Sequence, residues 1–598
     1  MNVGRGTSAR SADGGARLDV GRKDKTSNIQ RPTSNKLIVL IAILGLTIAA
    51  YLPSLDNGFT NWDDPVFILE NPLVQARPFS NLGAILTTPI GGCFYPVTVL
   101  SFQIEHALYG FEPFPYHFHN LLLHLLNVLL VFLLLQRLRI NFVVAAWATL
   151  LFAIHPLQVE AVAWVASRKD VLFAFFYLLV VWVYAGPPSV ERTAFQQRLR
   201  LTFMFVLFVL ALKSKPMAIS LPAVLLMIDH YRQGKLTREN FLEKIPWFAV
   251  AGFFIWLTMR VADQSHSFPA TGNFTMPERV ALSAQALTLY VAKLILPVLL
   301  SCLYPFEGNL GRVSSGLALL FLGMLLTWAV YGDRLKGGLV ATRWPLIFFM
   351  VTLAPVLHLL RVNTSLIYER FVYLPSLGIF LVFGMGLAGS WQRLALRPVL
   401  VRGLGRAIII GYIMFLSVST FQRCRVWHDS VALWSDVVRK FPDDPTAYIH
   451  RGDAYHQRGE DALAMRDLNR AVRRDPDSAL AYFDRGGLLA VYGQWSRALA
   501  DYRTALGLPA NDPALRGNIL HNKGLVLAFQ GNFDEAIAQY RAALQLDPDN
   551  IDANLNLAIA LLKKEEYADS LIYAQKALSL APENQVARQL VHFIEGKL

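Results

Sequence analysis

Two adjacent carboxylates, Asp63 and Asp64, stand in the run Asn57-Gly58-Phe59-Thr60-Asn61-Trp62-Asp63-Asp64-Pro65, which follows an apolar stretch. A carboxylate near a membrane surface can act as a general base or hold a metal ion. The neighbouring Trp suits the membrane–water interface. The same run also reads as a plain turn, because Asn, Gly, Asp and Pro favour turns. A second cluster runs His155-Pro156-Leu157-Gln158-Val159-Glu160-Ala161-Val162-Ala163-Trp164, followed by Ser167-Arg168-Lys169-Asp170. His155 and Glu160 are candidates to face an external cavity. Arg168 and Lys169 are candidates to hold a phosphate. A third cluster, Tyr368-Glu369-Arg370-Phe371-Val372-Tyr373-Leu374-Pro375, sets an Arg at the mouth of an apolar segment, beside Glu369 and two Tyr. That arrangement suits a lipid phosphate. Lys213-Ser214-Lys215 is similar. Taken singly, each cluster also reads as an ordinary helix end with interfacial or snorkelling charges.

The elements that must position these residues are helices in a membrane. Of the 598 residues 54% are hydrophobic and 17% charged, and the mean hydropathy is +0.38. Soluble domains have roughly 25% charged residues. About eleven apolar segments reach spanning length. They lie near 37–53, 119–136, 142–155, 170–186, 199–213, 216–230, 246–261, 315–331, 344–360, 371–389 and 405–421. Segment 280–300 carries Ser283, Gln285, Lys293 and Pro297 and reads as an amphipathic surface helix. The polar, basic residues 1–36 read as a disordered cytoplasmic tail.

The net charge of +13 is uneven: residues 427–598 hold 19 Lys+Arg against 23 Asp+Glu, so the excess lies in the membrane part. The basic residues alternate between loops in the manner of the positive-inside rule. The long loop 54–118 holds one basic residue, Arg77. With the N-terminus inside, that loop and the C-terminal part lie outside, in a bacterial periplasm or an organelle lumen. There is no nucleic-acid motif. Three cysteines, Cys93, Cys302 and Cys424, form neither a disulfide framework nor a metal site and read as unpaired apolar fillers.

Residues 447–598 repeat with a period of 34. Gly452, Tyr455, Gly459, Ala464, Leu468, Ala471 and Pro476 recur as Gly486, Leu489, Gly493, Ala498, Tyr502 and Ala505. After a short insertion they recur as Gly524, Leu527, Gly531, Ala536, Tyr540, Ala543 and Pro548, and more weakly as Ala558, Leu561, Ala577 and Pro582. This is a tetratricopeptide (TPR) pattern: small residues let paired helices approach, and Pro stops the second helix. The division is therefore a tail over 1–36, a membrane domain over 37–426 and about four repeats with capping helices over 427–598.

Together the clusters resemble the transmembrane and TPR-containing O-mannosyltransferase family and its bacterial relatives in the GT-C glycosyltransferase superfamily. The matching stretches are Asp63-Asp64 with Asn71-Pro72; Tyr95-Pro96-Val97-Thr98 with His117 and Asn120; His155 to Trp164; Lys213-Ser214-Lys215; and Glu369 to Pro375, in the family's order. The resemblance implies an all-α fold, a GT-C-type helical membrane domain followed by an α-solenoid. It implies a polyprenyl-phosphate-sugar donor, with mannose the first candidate, and a catalytic acid at Asp63 or Asp64. His155, Glu160, Arg168, Lys169, Lys215, Glu369 and Arg370 become candidate substrate-binding residues. No cofactor is certain; a divalent metal is left open. A single displacement would invert the anomeric centre. The array would hold a polypeptide acceptor, so Ser/Thr hydroxyls on the external side are the expected target. Rival readings are a non-catalytic membrane-anchored TPR scaffold and a GT-C enzyme acting on a glycan or lipid. A transporter fits less well, since no pair of broken spans marks a central site.

Overall fold

The computed structural model describes residues 31–186, 193–264, 274–305, 312–331, 340–359, 365–508 and 512–598. Among these the structure is helical, with one isolated antiparallel bridge between Ile90 and Cys93. The membrane domain contains α1 (Arg31–Tyr51), two short helices α2 (Pro72–Gln75) and α3 (Leu82–Thr87), α4 (Pro96–Tyr109), α5 (Pro113–Arg137), α6 (Phe142–Ile154), α7 (Val159–Ala163), α8 (Arg168–Tyr184), α9 (Ala194–Ser214), α10 (Leu221–Gln233), α11 (Arg238–Gln264), α12 (Met276–Ile295), α13 (Arg312–Tyr331), α14 (Arg343–Leu353), α15 (Ser376–Ala395) and α16 (Val399–Val426). Residues 31–36, expected in the tail, belong to α1, and the rest of the expected tail lies outside the described residues.

Each of the eleven expected apolar segments falls on a helix, but not every helix is long enough to span alone. Six pass by length and hydropathy: Asn35–Asp56, α5, α9, Arg238–Val261, α15 and α16. A seventh passes if α6 and the segment through α7 count as one span, bent by 52°. The bend has a local cause. His155 leaves the helix in extended geometry, its Nδ1 accepts the Leu157 N–H at 3.3 Å, and Pro156 cannot continue the ladder. Every residue from 151 to 174 is buried, so this broken segment runs through the centre of the domain. Segment 280–300 is mostly α12, which packs inward through Gln285 on Ser315 (3.0 Å) and Tyr290 on the Tyr368 carbonyl (2.9 Å).

The C-terminal part opens with α17 (Ser430–Lys440) and continues as the helix pairs α18 (Pro445–Gln457) with α19 (Asp461–Arg474), α20 (Ala479–Val491) with α21 (Trp495–Gly507), α22 (Pro513–Phe529) with α23 (Phe533–Leu546), and α24 (Ile551–Lys563) with α25 (Tyr567–Leu580), closed by α26 (Gln585–Glu595). Gly486 and Gly524 are required for close approach: a Cβ there would sit 2.7 Å from the rings of Tyr502 and Tyr540. Arg451 pairs bidentately with Asp467, and 34 residues on Arg485 pairs the same way with Asp501. The three cysteines are free.

The array is continuous with the membrane domain. Leu433, Trp434, Val437 and Ala447 share one apolar core with residues of the membrane helices. Arg423, at the end of α16, reaches Asp436 of α17 at 2.7 Å and Glu369 at 3.6 Å, and Lys440 joins Asp436.

Candidate functional site

The two neighbouring carboxylates occupy different environments. The side chain of Asp64 is buried. Its Oδ2 accepts the N–H and hydroxyl of Thr60 (2.7 and 3.0 Å), and its Oδ1 accepts the N–H of Ala166 (2.9 Å). The Thr60 donors close the loop on itself, and the Ala166 N–H ties it to the segment between α7 and α8. Burial outweighs them and pushes the carboxyl up to about 6. The side chain of Asp63 is 33% exposed, and its ion-pair partner among the described residues is Lys169 Nζ at 3.4 Å. The residue that follows the pair, Pro65, fixes φ and starts a helical turn ending at Leu69.

Lys169 is linked to two further cations through shared aromatic rings. Lys169 Nζ sits 3.9 Å from the centroid of Phe67, 5.4 Å from that of Tyr95 and 5.7 Å from that of Trp164. The Arg370 guanidinium lies 5.1 Å from Trp164 and 5.2 Å from Phe371. Lys215 Nζ lies 4.7 Å from Phe371. Each cation keeps one carboxylate: Lys169 has Asp63, Arg370 has Glu160, and Lys215 has Asp170. Cation–π contact and one counter-ion each hold these charges in a sparsely hydrated place, three cations against three carboxylates. Beside it opens an apolar cavity of about 140 Å³, lined by Tyr95, Lys215, Met217, Ile255, Val356 and Phe371 among others.

Of the other expected site residues, Glu160 belongs to this cluster and the rest lie elsewhere. Arg168 is not in this cluster although Lys169, next in sequence, is. The Arg168 guanidinium donates to Asn120 Oδ1, to Glu105 Oε1 (2.6 Å) and to the Tyr116 carbonyl (2.8 Å), and is buried. His155 is buried at the helix break, against Phe380. Glu369 is fully buried, with Oε1 accepting from the Ser301 N–H (2.7 Å) and the Tyr304 hydroxyl (2.6 Å). Glu160 is buried as the partner of Arg370 and accepts the Glu369 N–H at 3.0 Å.

The donor set does not fit a divalent cation. Asp64 already accepts three hydrogen bonds, and Asp63, Glu160 and Asp170 are each already paired with a cation. Among the described residues no group of three His, Cys, Asp or Glu forms a metal-holding cluster.

Sequence reading missed how the Asp63 loop meets the array. Asn61 Oδ1 accepts from Trp434 Nε1 (2.8 Å), and Trp62 stacks on Trp434 with centroids 4.6 Å apart. The available signal was the Trp in a helix that starts the array.

Residues 425–473 and 463–514 match a family described as "Tetratricopeptide repeat", and residues 524–565 match "TPR repeat". The C-terminal part is a TPR array. The chain is 24% identical over 443 residues to Protein O-mannosyl-transferase TMTC3 of Homo sapiens, covering 66% of this chain and 47% of that one. It is 25% identical over 512 residues to Protein O-mannosyl-transferase Tmtc1 of Drosophila melanogaster, covering 69% and 59%. These relatives and one from Caenorhabditis elegans are named protein O-mannosyl-transferases. The family resemblance carried by the clusters is the one these relatives bear. The chain spans about half to three-fifths of the length of the relatives it matches. Among solved structures, that of YrrB, "a TPR protein with an unusual peptide-binding site", is 24% identical over 31% of this chain and 88% of that one, with a TM-score of 0.24. With several apolar helices and such relatives, the chain is a multi-pass membrane protein.

Proposed function

We propose that the protein is a membrane glycosyltransferase that moves a sugar, mannose in the first instance, from a polyprenyl phosphate to a Ser or Thr hydroxyl of a polypeptide. Catalysis takes place on the external face, where the repeats also lie. The observation that carries this reading is that Asp63, a third exposed, meets Lys169, the first of three cations linked through the rings of Trp164 and Phe371, the last of which, Lys215, lines an apolar cavity.

The chemistry follows from the charges. The sugar's C1 already bears a good leaving group, a phosphodiester oxygen. Asp63 takes the proton of the acceptor hydroxyl as that oxygen bonds to C1. The bond from C1 to the phosphate oxygen breaks on the opposite side, and its electron pair leaves with the polyprenyl phosphate. Lys169, Arg370 and Lys215 stabilise the phosphate's growing charge in a dry site. The attack and departure on opposite faces invert the anomeric centre. The apolar cavity takes the first isoprene units of the lipid. Asp64 keeps the Asp63 loop in place, and Glu160 orients Arg370.

The test is release of free polyprenyl phosphate from polyprenyl-phosphate-mannose, with other sugars tried in turn, in the presence of a protein extract. Asp63→Asn is expected to lower the rate by about 100-fold or more without moving the melting temperature. Asp64→Asn is expected to lower the melting temperature, because an amide cannot accept from both Thr60 and Ala166. Full activity in Asp63→Asn, or no release from any donor by the wild type, would overturn the reading.

A further inference from the structure

The turn that presents Asp63 is held by the TPR array as well as by the membrane helices. Gly58 N–H donates to the His428 carbonyl (2.9 Å), and Asn57 Nδ2 donates to the Cys424 carbonyl (3.1 Å). Asn61 is gripped on every side. Its N–H donates to Ser430 Oγ (2.9 Å), its Oδ1 accepts from Trp434 Nε1 (2.8 Å), and its Nδ2 donates to the His450 carbonyl and to Asp453 Oδ2 (both 2.9 Å). An indole N–H can only donate, so it fixes which way the Asn61 amide points. The next residue, Trp62, is stacked on Trp434, and Trp434 is stacked on His450 with centroids 4.5 Å apart. Trp62 also meets Trp164, the ring that touches Lys169 and Arg370. Burial pushes His450 down to about 4, so its ring stacks as the neutral imidazole.

We infer that α17 and the first repeat position the catalytic loop, with Trp434, His450 and Asp453 setting where Asp63 sits, rather than serving only to recruit an acceptor. The inference rests on the proposed reading of Asp63. The physical reason is geometric. Asp63 is separated from the clamped Asn61 by one residue, and that residue is itself stacked, so the carboxylate inherits the array's position. A general base must lie within hydrogen-bond reach of the proton it takes, and a displacement of about 1 Å costs roughly 100-fold in rate. Asp453 has a further role: it lines the wide groove between the first three repeats, together with Phe483, Asp484, Asn522 and Phe529. The groove that would hold a polypeptide and the clamp on the base loop therefore share one carboxylate. These residues are positioning residues, since none of them touches the reacting atoms.

The experiment compares full-length wild type with Asn61→Ala, Trp434→Ala and Trp434→Phe in lipid nanodiscs. The substrates are polyprenyl-phosphate-mannose, or the sugar found active, and a short Ser/Thr peptide. Asn61→Ala and Trp434→Ala are expected to lower kcat by about 100-fold, with KM for the peptide within about threefold of wild type. Trp434→Phe keeps the stack and loses the N–H, so it should fall about tenfold, as expected for one lost hydrogen bond. Amide exchange over residues 57–66 should quicken at least about tenfold in the Ala variants, while α5 is unchanged. A raised KM at unchanged kcat would overturn the inference and leave the array a recruiting device. Unchanged exchange over 57–66 would also overturn it. If the wild type turns over no polyprenyl-phosphate sugar, the proposed function falls, and the exchange measurement alone decides whether the array seats the loop.

Discussion

In the repeat array two contacts recur, each between residues sixteen apart: Gly486 faces Tyr502 and Gly524 faces Tyr540, and Arg451 and Arg485 each grip an Asp. In the membrane domain, residues adjacent in sequence have unrelated partners. Arg168 is locked among Asn120, Glu105 and Tyr116, while Lys169 reaches Asp63 across a set of aromatic rings. Asp63 is a third exposed, while Asp64 is 1% exposed and accepts three hydrogen bonds. A solenoid repeats one local packing problem, so a residue's place in the period fixes its neighbours. A bundle of broken and unbroken helices poses a different problem at each position, and neighbours along the chain part company wherever the backbone bends.

The contrast can be tested at three levels. The largest effect is expected at Arg168, as the residue that looks like a phosphate ligand in sequence and a strut in the fold. Arg168→Met leaves Glu105 buried beside His119 without its guanidinium partner. Removing one member of such a buried pair costs about 3–5 kcal/mol. The variant should fail to accumulate as folded protein, read by yield and melting in detergent, whereas an Arg168 that acted only on phosphate would leave folding untouched.

A smaller effect lies in the array. Burial and the neighbouring Asp453 push Asp484 up to about 7 from an ordinary 3.8. A folded carboxyl that binds protons more tightly than the unfolded one favours the fold at low pH. The contribution is fully present below about 4 and is lost as pH rises through about 7. Each tenfold difference in proton affinity is worth about 1.4 kcal/mol. The array should therefore melt at a higher temperature at pH 5 than at pH 8, and Asp484→Asn should flatten that slope. An unchanged slope in the variant would show that Asp484 is hydrated.

The smallest effect is a departure from the period. Gly459, Gly493 and Gly531 turn between paired helices with φ of 74°, 66° and 81°, and the fourth repeat puts Glu565 there at φ 62°. A side chain in this left-handed region costs about 1 kcal/mol. Glu565→Gly should raise the stability of the last repeat by up to that amount, measured by the midpoint of denaturant unfolding. A loss of stability would mean that the Glu565 side chain makes a compensating contact.

Much of the architecture was legible because it rests on short-range rules. Hydropathy and length located a helix at each of the eleven apolar segments, and the 34-residue period located the repeat pairs. Span lengths were less legible. Segments 170–186 and 216–230 are apolar enough, but α8 has 17 residues and α10 has 13, since buried helices need not match a bilayer. Candidate site residues were legible as clusters, because Asp63, Lys169, Lys215 and Arg370 are charges set among apolar residues. Their division into site and support was not, since Arg168, His155 and Glu369 carry the same kind of signal. The clamp on Asn61 was invisible, because its partners lie more than 360 residues away in sequence.

The sequence by itself determined an all-helical membrane domain joined to a TPR array, and a short set of charged residues among which a site must be sought. Hydropathy, period and turn chemistry act over a few residues, so a linear reading suffices for them. Tertiary structure alone decided that Asp63 is open and Asp64 closed, that Lys169 and Arg370 meet on Trp164 while Arg168 does not, and that the first repeat grips the turn before Asp63. Those outcomes depend on which groups remain unsatisfied after every buried donor and acceptor has found a partner. That is settled only when distant segments are packed together.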